Sequence, residues 1–203
     1  GPTPRTDAWP AVIVPHAGII YSGFTAAHAF KALIGKDYHR VIAHSPSHQY
    51  YREPLLTTGH EAYATPLGLV PVDRKALSAI QQLLSTSTGI AVTPVRRDRE
   101  HSLEIELPFL QVVLPKGFSL VPLMLVDQSP ELVRGLAGAA QADDVVIGAR
   151  EWEGVGMGRS GHGVACAWGP GRLACRMRRA GGSGKTDGAK EKRVQSVMRV
   201  LRF

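Results

Sequence analysis

Three histidines lie in segments whose residue types suit metal or acid–base chemistry. His16 ends the apolar run of "VIVPHAGIIYSG" (12–23), between Pro15 and the pair Ala17-Gly18. His48 follows a second short apolar run in "VIAHSPSHQ" (41–49), where Pro46 stiffens the turn and Ser45 and Ser47 supply hydroxyls. His101 stands in "REHSLEIE" (99–106) with Glu100 beside it as an orienting carboxylate. An imidazole pinned by its backbone neighbours is preorganised for a metal when the ring is neutral and its second nitrogen is hydrogen-bonded. The same side chain exchanges a proton near neutral pH. One histidine at a strand end is most often structural. Two at strand tips and a third at a helix start shift the balance towards a shared site. The other histidines read as structural: His28 within a helical pattern, His39 and His60 in turns, His44 on the second strand and His162 in the C-terminal segment.

The elements that must position these residues follow from the apolar pattern. The continuous run at 11–14 is that of a strand covered on both faces. "FTAAHAFKALI" (24–34) spaces its apolar residues for a helix that Gly35 closes. "RVIAHS" is a second strand, and the Gly- and Pro-broken section "EPLLTTGHEAYATPLGLVPVD" reads as extended segments or a hairpin. A helix starts at the capping residue Asp73, with Leu77, Ile80, Leu83 and Leu84 on one side. In "HSLEIELPFLQVVL", Ser102 is expected to cap a helix whose first turn holds Glu104 and Glu106, with Pro108 in or just after that turn. "FSLVPLMLV" and "DDVVIGA" are further strands, separated by a helix that begins at Ser129-Pro130-Glu131. Alternating strands and helices predict an α/β fold with a mostly parallel or mixed sheet flanked by helices. Sites in such sheets form at the carboxyl ends of the strands, where His16 and His48 lie.

Composition limits the function classes. The 203 residues are 44% hydrophobic and 20% charged, which suits a globular domain able to bury a core. No apolar run reaches the length of a membrane span. "GPTPRTDAWP" lacks the basic and apolar regions of a secretory signal and an initiator methionine, so it reads as the start of a processed, tagged or partial product. Two cysteines make no disulfide framework, so a cytoplasmic location is expected. The net charge of +7 is unevenly placed: residues 1–149 hold 12 Lys and Arg against 13 Asp and Glu, and residues 150–203 hold 12 against 4. Half of the 22 glycines also fall in that last segment. The expected organisation is a balanced domain over 1–149 and a basic, Gly/Arg-rich, disordered tail over 150–203. The tail's "RMRR" and "KEKR" suit counterion release on nucleic acid, but it has few aromatic residues for base stacking, so nucleic acid is not the expected partner.

"PHAG" (15–18) with "YSG" (21–23), "SPSH" (45–48), "YATPLG" (63–68) and "EHSLEIELPFL" (100–110) occur in an order that resembles the Memo family, which includes the AmmeMemoRadiSam system protein B group. The resemblance covers residues 11 to about 149. It implies a fold similar to the extradiol dioxygenases, with a metal pocket at the strand ends. It implies His16 and His48 as ligands of iron or copper, and His101 in the same pocket as a catalytic proton shuttle or supporting partner. On Fe(II), such a site would leave positions for dioxygen and a small aromatic substrate. Peptide or phosphopeptide binding without catalysis is the alternative function, and Tyr21, Ser45 and Ser47 beside the histidines would fit that role.

After "VVIGA" the family pattern would continue with a Ser-Asp-x-Ser-His type segment and a further metal ligand. The present sequence departs from it there, where its composition also changes. The tail therefore reads as the product of a frameshift, a mis-spliced exon or a gene-model error. The expected consequence is a C-terminally truncated domain whose metal site is impaired by loss of that ligand.

Overall fold

The computed structural model describes residues 11–97, 99–127 and 129–137, together with the strands 144–150, 164–169 and 172–177. Strand β1 (Ala11–Pro15) leads into helix α1 (Ile19–Phe30) and a 3₁₀ turn at Lys31–Leu33. Then come β2 (Arg40–Pro46), β3 (Leu55–Thr58) and the hairpin of β4 (Ala62–Thr65) and β5 (Gly68–Pro71). Helix α2 (Arg74–Thr88), β6 (Thr93–Val95), a 3₁₀ turn (Glu104–Glu106) and α3 (Leu107–Val113) follow. The series closes with β7 (Ser119–Leu125), α4 (Pro130–Ala137), β8 (Asp144–Arg150) and an antiparallel pair, β9 (Val164–Gly169) and β10 (Arg172–Met177).

The main sheet has the order β1-β8-β2-β7-β3-β6. It is mixed: β1, β8, β2 and β7 run parallel, β3 is antiparallel to β7, and β6 is parallel to β3. Helices cover both faces. On one, Val12, Val14, Val41 and Ala43 of the strands pack with Ala26, Ala27 and Phe30 of α1 and Leu107, Phe109 and Leu110 of α3. The rings of Phe30 and Phe109 stack at 5.2 Å. On the other face, Ile42, Val121 and Leu123 meet Leu77, Ile80 and Leu84 of α2 and Leu132 and Leu136 of α4. A Cβ at Gly135 would come within 2.9 Å of Leu84 Cδ2, so the missing side chain lets α4 lie close against α2. Fold class and layer arrangement are those expected: α/β, with a mixed sheet between helices.

Two local expectations are corrected. The first helix begins at Ile19 rather than Phe24, and its buried face is Gly23, Ala26, Ala27 and Phe30. A Cβ at Gly23 would come within 2.7 Å of Ile19 Cγ2, and Phe109 of α3 packs beside that position at 3.6 Å. Phe24 is turned outward with Ile20 and Tyr21. Ser102 caps no helix. Its hydroxyl donates to the carbonyl of Pro46 at 2.9 Å, and α3 starts only after the 3₁₀ turn, with Pro108 in its first turn. Asp73 behaves as expected and accepts from the Ala76 N–H at 2.9 Å. The division at residue 149 and the character of the tail fall mostly outside the described residues.

Candidate metal centre

Strand register explains how distant histidines meet. His16 directly follows β1, and His48 lies just beyond the end of β2. These strands are not neighbours: β8 runs between them, its Arg150 level with Pro15. Adjacent strands are about 4.8 Å apart, so β1 and β2 are separated by roughly 10 Å at the backbone. The two imidazoles lean towards each other over the end of β8, and their centroids lie 5.2 Å apart. The proline before each site segment and the bond from Ser47 N–H to the Leu125 carbonyl (2.9 Å) fix the backbone there.

The third histidine arrives from the opposite edge of the sheet. The chain leaves β6 and crosses the strand ends, and Ser102 ties it to Pro46. This puts the His101 ring 5.0 Å from His48 and 6.3 Å from His16. The set is graded in exposure: His16 is 3% exposed, and the side chains of His48 and His101 are 29% and 57% exposed. All three histidines singled out by sequence therefore share one site, open on the His101 side.

Glu100 is the floor of the site. Its Oε1 accepts from His48 Nδ1 at 2.8 Å and from the His101 and Ser102 N–H groups at 2.9 Å each; its Oε2 accepts from the His48 N–H. Burial alone would raise its pKa, but the bonds from His48 and Ser102 outweigh it and bring the value down to about 2. An ionised carboxylate only accepts, so His48 carries a proton on Nδ1, and Nε2 is the nitrogen left for a metal. Sequence reasoning paired Glu100 with its neighbour His101. The structure gives it chiefly to His48, since His101 Nδ1 is 3.6 Å away. No local spacing announces a partner 52 positions distant.

The remaining expected residues divide. Ser45 is buried, the Ser47 hydroxyl bonds the Gln49 carbonyl at 3.1 Å, and Tyr21 is 73% exposed on α1. His28 Nδ1 meets the Phe24 carbonyl within its own helix, and His60 Nε2 meets that of Arg96. His44 is enclosed, and desolvation lowers its pKa to about 4, so it is neutral. Sequence reasoning placed Glu106 in a helix's first turn as a carboxylate favoured by the dipole; the structure puts it at the end of the 3₁₀ turn, 1% exposed, with no hydrogen-bond partner for either carboxyl oxygen among the described residues.

Imidazole nitrogens with a nearby carboxylate suit a first-row transition metal. His48, Glu100 and His101 each offer a ligand atom, all within 4.8 Å of one another. The donor set fits such an ion. Fold and site thus define a three-layer α/β protein with a histidine-lined pocket at the carboxyl ends of its parallel strands. The family model described as Memo-like protein matches residues 1–143. The chain belongs to this family.

Relatives described as MEMO1 family proteins agree. One from Nitrosopumilus maritimus is 36% identical over 128 residues, 63% of this chain and 46% of that protein. One from Thermotoga neapolitana is 39% identical over 144 residues, 70% and 50% of the two chains, and one from Caldivirga maquilingensis is 34% identical over 145 residues, 68% and 50%. The chain spans about half the length of the curated relatives it matches. Among the described residues, no helix is long and apolar enough to cross a membrane.

Proposed function

We propose that this pocket holds a redox-active metal ion, iron or copper, on His16 and His48, and that it serves oxidative chemistry on a small aromatic substrate. The observation that carries the reading is the convergence of the two imidazoles at 5.2 Å, from strands that are not neighbours. Iron or copper at such a site supplies one-electron and dioxygen chemistry. The protein's own contribution is orientation. Buried His16 fixes one side, and Glu100 holds the ring of His48 and its tautomer. His101, at the open side, stands where it can take a proton from a substrate hydroxyl. A cytoplasmic location belongs to the same proposal, supported by a cysteine count of two, too few for a disulfide framework.

Metal analysis of the purified chain tests this reading. Stoichiometric iron or copper is expected, with loss in the His16→Ala/His48→Ala double variant and with catechol-dependent dioxygen uptake lost in parallel. Full metal retention by the double variant would sink the assignment. Metal-free protein that still binds a peptide or phosphopeptide would favour a binding module instead.

A further inference from the structure

The reading above names two metal ligands, and His101 has a proton-carrying role in it. We infer that His101 is itself the third ligand, so that His16, His48 and His101 form a three-imidazole centre within this chain while Glu100 remains outside it. The inference rests on the metal-binding reading and changes the task of one residue.

Geometry supports it first. Metal–nitrogen bonds of about 2.1 Å place imidazole centroids roughly 3.2 Å from the ion, and angles of about 90–110° then separate the centroids by roughly 4.5–5.3 Å. The His16–His48 and His48–His101 separations, 5.2 and 5.0 Å, meet this condition. The His16–His101 separation is 6.3 Å, and the side chain that must close the difference is the one 57% exposed and so able to turn.

The competing third ligand is Glu100. A carboxylate has about four lone-pair sites. Oε1 of Glu100 already takes three donors and Oε2 takes one, three of the four being backbone N–H groups in the segments that carry His48 and His101. Recruiting Glu100 to the metal would take acceptors from those donors and release the ring it positions. A carboxylate behind a ligating histidine, with the imidazole Nδ1–H between them, is the arrangement that orients Nε2 towards a metal. Glu100 therefore acts on the ion through His48. This assignment makes a complete set of nitrogen ligands available before residue 102, inside the part of the chain that its relatives share.

The test uses the 203-residue chain titrated with Cu(II) alone, read by the nitrogen hyperfine pattern of the electron paramagnetic resonance spectrum and by the dissociation constant. Circular dichroism confirms that each variant is folded. Loss of a supporting partner typically weakens metal binding by about 10–100-fold, so His101→Ala, which removes a ligand, is expected to weaken it by about 100-fold or more and to reduce three coupled nitrogens to two. Glu100→Gln is expected to weaken binding by roughly 10–100-fold with all three nitrogens retained. Unchanged affinity and nitrogen count in His101→Ala would overturn the inference. If the His16→Ala/His48→Ala variant still lost copper in that case, the metal-binding reading would stand, with His101 as a proton carrier. Failure of the unmodified chain to bind copper would overturn that reading itself.

Discussion

The turn that begins at Glu100 and the 3₁₀ turn that ends at Glu106 both bury a glutamate, yet the two carboxyl groups live under opposite conditions. Glu100 receives N–H groups from His48, His101 and Ser102 and a ring nitrogen besides, and its pKa falls to about 2 although burial opposes this. Glu106 is the more deeply buried, finds no donor among the described residues, and burial alone carries its pKa well above the ordinary value. Six positions apart, one carboxyl is held low by its donors and the other is pushed up by burial. Donors outweigh burial at Glu100, and burial acts unopposed at Glu106.

The largest effect should come from breaking the saturated side of this contrast. Glu100→Ala leaves the His48, His101 and Ser102 N–H groups without their acceptor, and a loss of about 3 kcal/mol or more is expected. Urea unfolding measures it, and a loss below about 1 kcal/mol would show that the cluster is not an anchor.

Titration sharpens the contrast, because the two groups act in opposite directions. The folded pKa of Glu100 lies below the 4.5 of an ordinary glutamate, so its stabilisation is present above 4.5 and is lost as pH falls towards about 2. The folded pKa of Glu106 lies above 4.5, so its contribution is full below 4.5 and is lost as pH rises towards the folded value. Over that upper window it changes stability by up to about 1.4 kcal/mol per pH unit. Glu106→Gln should flatten the alkaline side of the stability–pH curve and leave the acid side unchanged. An unaltered slope above pH 4.5 would mean that burial does not raise the Glu106 pKa.

Asp73 provides the smallest of these effects. Burial raises its pKa, but the Ala76 N–H, Arg40 and Ser119 outweigh it, and the net direction is down. It caps α2 and pairs with Arg40 at 2.9 Å, with the Arg40 side chain about a third exposed. Asp73→Ala should cost about 1 kcal/mol, as a typical cap does, and leave metal content unchanged. Thermal unfolding measures the first, and any change in metal content would break the separation between the site and the opposite end of the sheet.

Much of this was legible in the sequence for identifiable reasons. Continuous apolar runs gave the parallel strands, and the Asp73 cap and the Ser129-Pro130 start were written locally. The three histidines could be chosen because each stands beside a proline, a tight turn or a carboxylate that restricts it. Long-range pairing was not legible. That Glu100 serves His48, that Ser102 tethers its turn to Pro46, and that β8 runs between β1 and β2 are all contacts between residues remote in the chain. The period of α1 misled because its buried residues are mostly glycine and alanine, while its larger Phe24 faces outward.

The place of β8 has a consequence for how the pocket comes into being. Ala11 lies opposite Val146, and Ala43 opposite Ile147, so the last strand of the sheet joins the two that carry the first histidines. β2 and the hairpin after it can form early, but among the described residues the first strand finds its main-sheet partner only in β8, more than 130 positions later. Such late, long-range closure is slow in folding. His16 should therefore join the site only once β8 has formed, whereas His48, Glu100 and His101 can assemble without it.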